Sequence, residues 1–300
     1  MKWLLRIAFA TLTTAALAGG QGASSQAPLT LKITTRARSM RQGEVILVTV
    51  TPSRDVTTVE AGAFANPIVL WHGAGRTWQG LIGIPVDADT GRRDLVVHAG
   101  GDTADSLFVR VPLQVGRTSF AERKLTVDEE FADPPESQMD RILGEQDRLE
   151  KLFATTSPGR LWKGPWQLPV PGTPTSSFGR LTYLNGEKRG RHQGADFRAA
   201  AGTPIHAPNA GTVVLAEPLY FSGNTVILDH GDGLYSLFAH LSKTSVAVGA
   251  HVAQGALLGE VGATGRVTGP HLHWAVRLHN VSVDPLSLVH AVAVIDAPPH

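Results

Sequence analysis

The sequence predicts a mainly β protein of two domains joined by a single helix. Its 300 residues suffice for about two domains, because domains usually hold roughly 100 to 200 residues. Glycine (32 residues) and proline (19 residues) supply many turn formers, which favours short strands over a helix bundle. Hydrophobic residues make up 42% and charged residues 18% of the chain, a composition typical of globular and not of disordered proteins.

Charge and cysteine content exclude several classes of function. The 27 basic and 26 acidic residues leave a formal net charge of +1, which removes the electrostatic case for a nucleic-acid partner. The absence of cysteine excludes disulfides, thiolate metal sites and cysteine nucleophiles. Any bound metal must therefore be held by histidine and carboxylate ligands, and the chain has 12 histidines.

Residues 1–18 have the layout of a secretory signal peptide. Lys2 and Arg6 precede an apolar run, and Ala16-Leu17-Ala18 provides a small-x-small cleavage site, although cleavage as late as about residue 27 fits as well. The apolar run is shorter than the about 20 residues that a membrane-spanning helix needs. An uncleaved anchor is the alternative. We expect an exported protein with no stable membrane span after cleavage, located in the periplasm or, alternatively, secreted.

Residues 28–117 are predicted to form an immunoglobulin-like β-sandwich. Short runs rich in β-branched and apolar residues alternate there with turn formers, as such sandwiches require. The predicted strands include Leu29–Thr34, Glu44–Thr51, Ile68–His72, Trp78–Ile84, Asp94–His98 and Ser106–Leu113. This half contains no cluster of titratable residues. The domain would dock on a surface, restrict access to a groove or bind a partner, and the sequence does not choose among these roles.

Residues 118–174 are predicted to be a linker with one helix at about 134–154. Asp133 is placed to cap this helix, with prolines in its first turn and Glu136 three residues after the cap. Apolar residues then recur at three- and four-residue steps, at Met139, Ile142, Leu143, Leu149, Leu152 and Phe153. We expect this helix to pack one domain against the other and to carry no catalytic group.

Residues 175–290 are predicted to form a second β domain, followed by a tail at 291–300, and this domain holds the candidate chemistry. In His192-Gln193-Gly194-Ala195-Asp196 an imidazole and a carboxylate lie four positions apart, in a sequence that favours a loop running into a strand. In His271-Leu272-His273 both imidazoles would project from the same face of a strand. His240 ends an apolar strand. A catalytic zinc site needs three nitrogen or oxygen ligands, which His192, Asp196 and one histidine of the pair can supply.

The same segment resembles a known family over roughly 110 residues, with its motifs in order. The matching stretches are Ser177-Phe178-Gly179-Arg180, Asn185-Gly186, His192 to Asp196, Gly223 to Gly231, Phe238 to Leu241 and Gly262 to His273. In these stretches the chain resembles the lysostaphin-type (LytM-like) zinc endopeptidases of bacterial cell walls. The region at 30–160 also resembles the immunoglobulin-like domain and linker helix that precede the peptidase domain in some Gram-negative members.

The resemblance implies a fold and a set of roles. The fold would be an antiparallel β peptidase domain of the lysostaphin-like type. His192, Asp196 and His273 would bind one Zn²⁺ per chain, while His240 and His271 would lie beside the attacking water without binding the metal. One of the two would take the proton of this water, with His271 preferred because the strand ties it to His273, and His240 would hydrogen-bond the oxyanion or share the acid–base work; the sequence does not settle this division. The substrate would be peptidoglycan stem peptides, cut at D-Ala to diaminopimelate cross-links.

Other residues carry weaker expectations. Tyr220 and Tyr235 would line a groove for an extended peptide or pack in the core, and Asn224 is a further candidate for substrate binding. His206, His230 and His251 are read as exposed or structural.

Two other functions compete with the cell-wall endopeptidase. Some lysostaphin-like domains have lost their metal and activate cell-wall amidases, but these lack ligand or catalytic positions that this chain retains. A metallopeptidase with a protein substrate is the second alternative, because the ligands alone do not exclude it.

Overall fold

The structure is a computed structural model that describes residues 27–100, 106–126, 133–175, 177–293 and 295. The predicted signal peptide at residues 1–18 and most of the predicted tail at 291–300 lie outside these ranges. The chain divides into two compact units, residues 1–117 and 118–300. No helix in the described ranges combines the length and the apolar character needed to cross a membrane.

The N-terminal unit is a β-sandwich of two antiparallel four-stranded sheets. Its strands are β1 (Leu31–Ala37), β2 (Val45–Pro52), β3 (Thr58–Ala63), β4 (Asn66–Ile68), β5 (Leu70–His72), β6 (Trp78–Gly83), β7 (Gly91–Gly100) and β8 (Leu107–Val115). The sheets have the orders β1-β2-β6-β5 and β4-β3-β7-β8. Both sheets contribute to one buried core, for example through Ile46 and Val48 from the first and Leu95 and Val97 from the second. These strand orders correspond to the A-B-E-D and C-F-G sheets of immunoglobulin domains, with one extra edge strand.

Strand β3 is absent from the strands that the sequence predicts. Its residues, Thr58 to Ala63, are mostly small or polar, so the alternation of apolar residues that identifies a strand is weak. It forms because it pairs with β7 on one side and β4 on the other. The formation of this strand therefore depends on its pairing with neighbouring strands and not on its own composition.

The segment at 118–174 is more structured than the predicted linker. Strand β9 (Glu122–Leu125) pairs in parallel with β10 (Leu181–Leu184) in a three-stranded sheet completed by β11 (Glu187–Arg191). The predicted helix begins as a 3-10 turn at Glu136–Gln138 and continues as helix α1 (Met139–Ala154).

The predicted cap of this helix by Asp133 is wrong. Neither the 3-10 turn nor α1 has a side-chain cap. The Asp133 carboxylate instead accepts a hydrogen bond from Arg189 Nη1 at 2.6 Å. The two prolines that follow Asp133 place the first helical turn further along the chain, so its carboxylate is free to pair with β11.

The C-terminal unit is built on a nine-stranded sheet. Its strands are β12 (Gly194–Phe197), β13 (Pro204–His206), β14 (Gly211–Leu219), β15 (Gly223–Asp229), β16 (Leu234–Thr244), β17 (His251–Val252), β18 (Leu257–Val261), β19 (Leu272–Leu278) and β20 (Val281–Val283). The main order is β12-β19-β16-β15-β14-β17, while β13, β18 and β20 pair off this path. All ladders of this nine-stranded sheet are antiparallel.

The two faces of strand β19 differ in character. Leu272, Trp274 and Val276 are fully buried, whereas the alternate residues His273 and Arg277 are partly exposed. Helix α2 (Pro285–Val292) contacts β12 and β19. Its start is fixed by Asp284, whose Oδ1 accepts a hydrogen bond from the Leu286 amide at 2.9 Å. The buried face of β19 and the capped helix α2 thus hold in place the two strands that carry the site.

His230 is a structural residue of this core, as the sequence suggests. It is fully buried, its Nδ1 lies 2.7 Å from the Ala210 carbonyl and its Nε2 lies 3.0 Å from Ser236 Oγ. The ring is therefore neutral, donating from Nδ1 and accepting at Nε2. Burial lowers the pKa of His230 to about 4.

We expect His230 to make the stability of this unit depend on pH. Its pKa is about 4 in the fold and about 6.5 in the unfolded chain, so the unfolded chain binds more protons between these values. The free energy of unfolding therefore falls as the pH falls from about 6.5 to about 4. Chemical denaturation with a chelator present, comparing the wild type with His230→Gln, should show their stability difference shrinking by roughly 3 kcal/mol over that range. A difference that stays constant with pH would contradict this account.

Candidate metal centre

Three side chains from separate parts of the sequence bring their donor atoms together at one end of strands β12 and β19. Asp196 and His273 are direct partners in the antiparallel ladder of these strands, and His192 lies in the loop two residues before β12. His192 Nε2 is 2.8 Å from Asp196 Oδ1 and 3.0 Å from His273 Nδ1. His273 Nδ1 is 2.9 Å from the same carboxylate oxygen. The three residues can hold one metal ion with one atom each.

The loop that carries His192 is fixed by backbone and side-chain hydrogen bonds. The His192 amide donates to the Arg180 carbonyl at 2.8 Å, and the Gly179 amide donates to the His192 carbonyl at 2.7 Å. His192 Nδ1 lies 3.1 Å from the Ser177 carbonyl, so with its proton on Nδ1 the ring would offer the Nε2 lone pair to a metal ion. An outer hydrogen bond of this kind orients a metal-binding imidazole.

The protonation states suit a divalent cation. Burial alone would raise the pKa of Asp196, but hydrogen bonds with His192 and His273 outweigh it and hold this pKa well below its usual range. Burial lowers the pKa of His273, so this ring is neutral at neutral pH. The carboxylate of Asp196 and the neutral ring of His273 are the deprotonated forms in which these side chains bind metals.

The donor set fits a zinc ion. Three potential ligand atoms, two nitrogens and one oxygen, lie about 3 Å from one another, too close for all three to keep their lone pairs without a proton or a cation between them. A metal cation between them would accept one lone pair from each of the three atoms and so remove their mutual repulsion. Two histidines and one carboxylate leave a further position open, which is the composition of catalytic zinc sites.

His240 reaches the same site from a β-bulge. The register of β15 and β16 shifts beside it, and its φ of 67° lies in the left-handed region that few non-glycine residues adopt. Two hydrogen bonds hold it there: its amide donates to the Ser222 carbonyl at 2.8 Å, and its Nδ1 lies 3.0 Å from the Thr264 carbonyl. Burial, with His273 nearby, lowers the pKa of His240 to about 4.

His271 stands opposite His240. Their ring centroids are 4.8 Å apart, and His271 Nδ1 lies 2.9 Å from the Gly269 carbonyl. In both rings the proton is thus held on Nδ1, and Nε2 is left as an acceptor. His271 Nε2 is 3.9 Å from Asp196 Oδ1.

The three residues expected to bind substrate lie at different places. Tyr235 is buried, packs edge-on against Phe153 and hydrogen-bonds Thr155 Oγ1 at 2.7 Å, so its hydroxyl is used inside the protein. Core packing, one of the two roles foreseen for it, is the one that this geometry matches. Asn224 also makes internal bonds, donating from Nδ2 to the Leu241 carbonyl at 3.0 Å. Tyr220 is partly exposed beside α1.

His206 and His251, which the sequence analysis assigned as exposed or structural, match that expectation. His206 Nδ1 lies 2.9 Å from the Gly255 carbonyl, and His251 is exposed, with its Nδ1 2.9 Å from Thr212 Oγ1. Two arginines near the site were not foreseen as functional. Arg180 Nη2 is 4.0 Å from Asp196 Oδ2, and Arg277 follows His273 by four residues on β19. Strand alternation from His273 could have indicated Arg277, because both project from the same face.

Comparison with protein families identifies the segment that contains this site. The family model for peptidase family M23 matches residues 190–285. Among curated proteins, the DD-carboxypeptidase/endopeptidase Mpg of Neisseria meningitidis is 41% identical over 97 residues, which are 32% of this chain and 22% of that protein. The peptidoglycan DD-endopeptidase ShyA of Vibrio cholerae is 42% identical over 83 residues, which are 28% of this chain and 19% of that protein. The chain therefore spans only about a fifth of these relatives.

A solved structure matches most of the chain. It is the crystal structure of a Pseudomonas aeruginosa protein assigned as a peptidase M23, with a TM-score of 0.64 and 31% sequence identity. The match covers 86% of this chain and 96% of that one, so it extends well beyond the segment with the metal-binding residues. The chain belongs to peptidase family M23, the lysostaphin-like metallopeptidases.

Proposed function

We propose that this protein is an exported, zinc-dependent endopeptidase that hydrolyses peptide cross-links in peptidoglycan. The observation that supports the proposal is a group of five side chains at one site: three whose donor atoms converge and two imidazoles whose Nδ1 atoms lie against backbone carbonyls. The names of the Neisseria and Vibrio relatives, which describe DD-endopeptidases, support peptidoglycan as the substrate. The bond we propose is the one between D-Ala and diaminopimelate.

His192, Asp196 and His273 would hold one Zn²⁺ per chain. When bound, zinc lowers the pKa of water and polarises the scissile carbonyl. The charge of the cation would then exceed that of the single carboxylate, and the resulting net positive charge would favour an anionic transition state. This assignment uses only side chains whose donor atoms already converge.

His271 is the proposed general base and acid. Its Nε2 accepts the proton of the attacking water and later donates it to the leaving amine. The hydrogen bond to the Gly269 carbonyl keeps the other ring proton on Nδ1, so Nε2 stays directed to the substrate.

His240 is better suited to orient the attacking water than to bind an oxyanion. A neutral ring with its proton on Nδ1, held by the Thr264 carbonyl, can only accept a hydrogen bond at Nε2. Its pKa of about 4 keeps it neutral at neutral pH and makes it a weak base. We infer that His240 orients the attacking water by accepting one of its hydrogen bonds, and that His271 carries the proton transfers.

The location proposed for this activity is the periplasm. The segment at residues 1–18 has the features of a signal peptide, and a peptidoglycan substrate lies outside the cytoplasm. Secretion to the medium is the second option.

Digestion of purified, cross-linked peptidoglycan tests the proposed activity. With the mature protein and zinc, mass spectrometry should show cross-linked dimers converted to intact monomers, with the new ends identifying the bond cut. Removing zinc with a chelator should abolish the conversion, because the ligands alone cannot polarise the carbonyl. Dimers that stay intact with one zinc bound per chain would contradict the proposal and favour an activator or a protein-directed peptidase.

Substitutions should separate the metal-binding residues from the catalytic residues. His192→Ala and Asp196→Asn each remove a direct ligand, so we expect zinc affinity to fall by more than the about 10- to 100-fold that loss of an outer hydrogen bond costs. His240→Ala and His271→Ala should retain zinc and lose about 10²- to 10⁴-fold in kcat. Metal analysis and kinetics on one set of samples measure both effects.

His251→Ala is the matched control for these variants, because His251 is an exposed histidine of the same unit that lies outside the site. It should keep both zinc and activity. Loss of zinc from the His271 variant would show that His271 is a ligand and would overturn its assignment as the base.

A further inference from the structure

Helix α1 covers part of the sheet face from which His273 projects. Leu149, Leu152 and Phe153 of the helix pack with Leu215, Ile227, Tyr235 and Leu237 of strands β14, β15 and β16. Tyr235 and Arg277 are direct partners across β16 and β19, as Ala239 and His273 are. Residues two or four apart on a strand share a face, so the helix and the metal site lie on the same side of the sheet.

A cleft of about 490 Å³ remains between the helix and the strands. The helix contributes Gln146, Glu150 and Phe153 to its wall, and the sheet contributes Leu237, His273 and Arg277. The cleft thus begins at a metal-binding residue and extends along β19 to Arg277. Residues 139–154 lie outside the segment matched by the family model, so this wall is supplied by the preceding part of the chain.

Arg277 is a cation at the far end of this cleft. Its Nη2 donates to Gln193 Oε1 at 2.8 Å, its Nη1 donates to the Asn280 carbonyl at 3.3 Å, and its guanidinium lies 5.1 Å from the centre of the Phe153 ring. These contacts hold the side chain in place but supply no negative charge. Glu150, at the rim, is the acid that favours its charged form.

The charge of Arg277 is incompletely balanced. Burial lowers its pKa, which means that removal from water disfavours the charged form. In the described part of the chain its hydrogen bonds go to Gln193 and to the Asn280 carbonyl and none goes to a carboxylate, whereas buried charges are usually paired. A guanidinium has five N–H groups, and the two acceptors found in the described part of the chain leave others for a ligand.

We propose that Arg277 binds a free carboxylate of the substrate peptide and so selects acidic stem peptides. His273 and Arg277 are four residues apart on an extended strand, about 13 Å. A peptide lying along this strand therefore places on Arg277 a carboxylate three to four residues from its scissile bond. Planar guanidinium groups bind carboxylates with two parallel hydrogen bonds, which makes the contact selective as well as attractive.

This inference rests on the proposed function for the identity of the peptide, and binding measurements test it independently of cleavage. The probes are two synthetic, uncross-linked stem peptides that differ only in carrying free carboxylates or carboxamides. Calorimetry with the zinc-loaded full chain should show the carboxylate form binding about tenfold more tightly, as one charge-assisted contact provides. Arg277→Gln should reduce this ratio to near one, and Arg277→Lys should restore part of it.

Lys243→Gln is the matched control, because Lys243 is an exposed cation on β16 that lies outside the cleft. It should leave the ratio at its wild-type value. Thermal melting and zinc content establish that each variant is folded and loaded. Equal affinity of the wild type for the two peptides, or a preference that survives in Arg277→Gln, would overturn the inference. A carboxylate preference without any cleavage would contradict the proposed function alone.

Discussion

The site depends on the register between strands β12 and β19. That register sets Asp196 opposite His273, and it sets Gly194 opposite Ala275. Gly194 is required at its position because a Cβ there would lie 2.4 Å from the Trp274 carbonyl oxygen and 2.8 Å from Cε1 of His273. A shift of one residue would turn each side chain to the other face of the sheet and separate the carboxylate from the imidazole. The chemistry therefore rests on a backbone pairing that the buried side of the sheet holds in place.

A common device orients the imidazoles that surround this pair. His192, His240 and His271 each have Nδ1 next to a backbone carbonyl, of Ser177, Thr264 and Gly269 respectively. Each ring therefore presents Nε2 to the site. Two of the three carbonyls belong to the glycine-rich segment at 262–269, so this segment contributes by orienting the catalytic rings.

His240 has a left-handed backbone conformation, and several local contacts are needed to hold its side chain at the site. Such a conformation is costly for a residue with a Cβ and persists where surrounding contacts determine it. Here the bulge in the β15–β16 ladder and the bond to the Ser222 carbonyl provide those contacts. Next to this bulge, the Asn224 amide donates a hydrogen bond to Thr264 Oγ1. Asn224 thus has a structural use, although the sequence suggested substrate binding.

Much of the site can be predicted from the sequence because its signals are local. The spacing of His192 and Asp196, and the alternation of His271 and His273 along a strand, depend only on neighbouring residues. Features that depend on distant partners could not be predicted. Strand β9 forms by pairing with a strand more than fifty residues away, and Asp133 binds Arg189 instead of capping the helix. Arg277 lines a cleft only because a helix from an earlier part of the chain forms the opposite wall.

X-ray absorption at the zinc edge, on the zinc-loaded mature protein, tests the central claim most directly. The account predicts one zinc per chain, with nitrogen and oxygen ligands at about 2.0–2.1 Å and scattering from two imidazoles. A first shell without imidazole, or one with more than two imidazoles, would contradict the assignment of His192, Asp196 and His273 as the ligands.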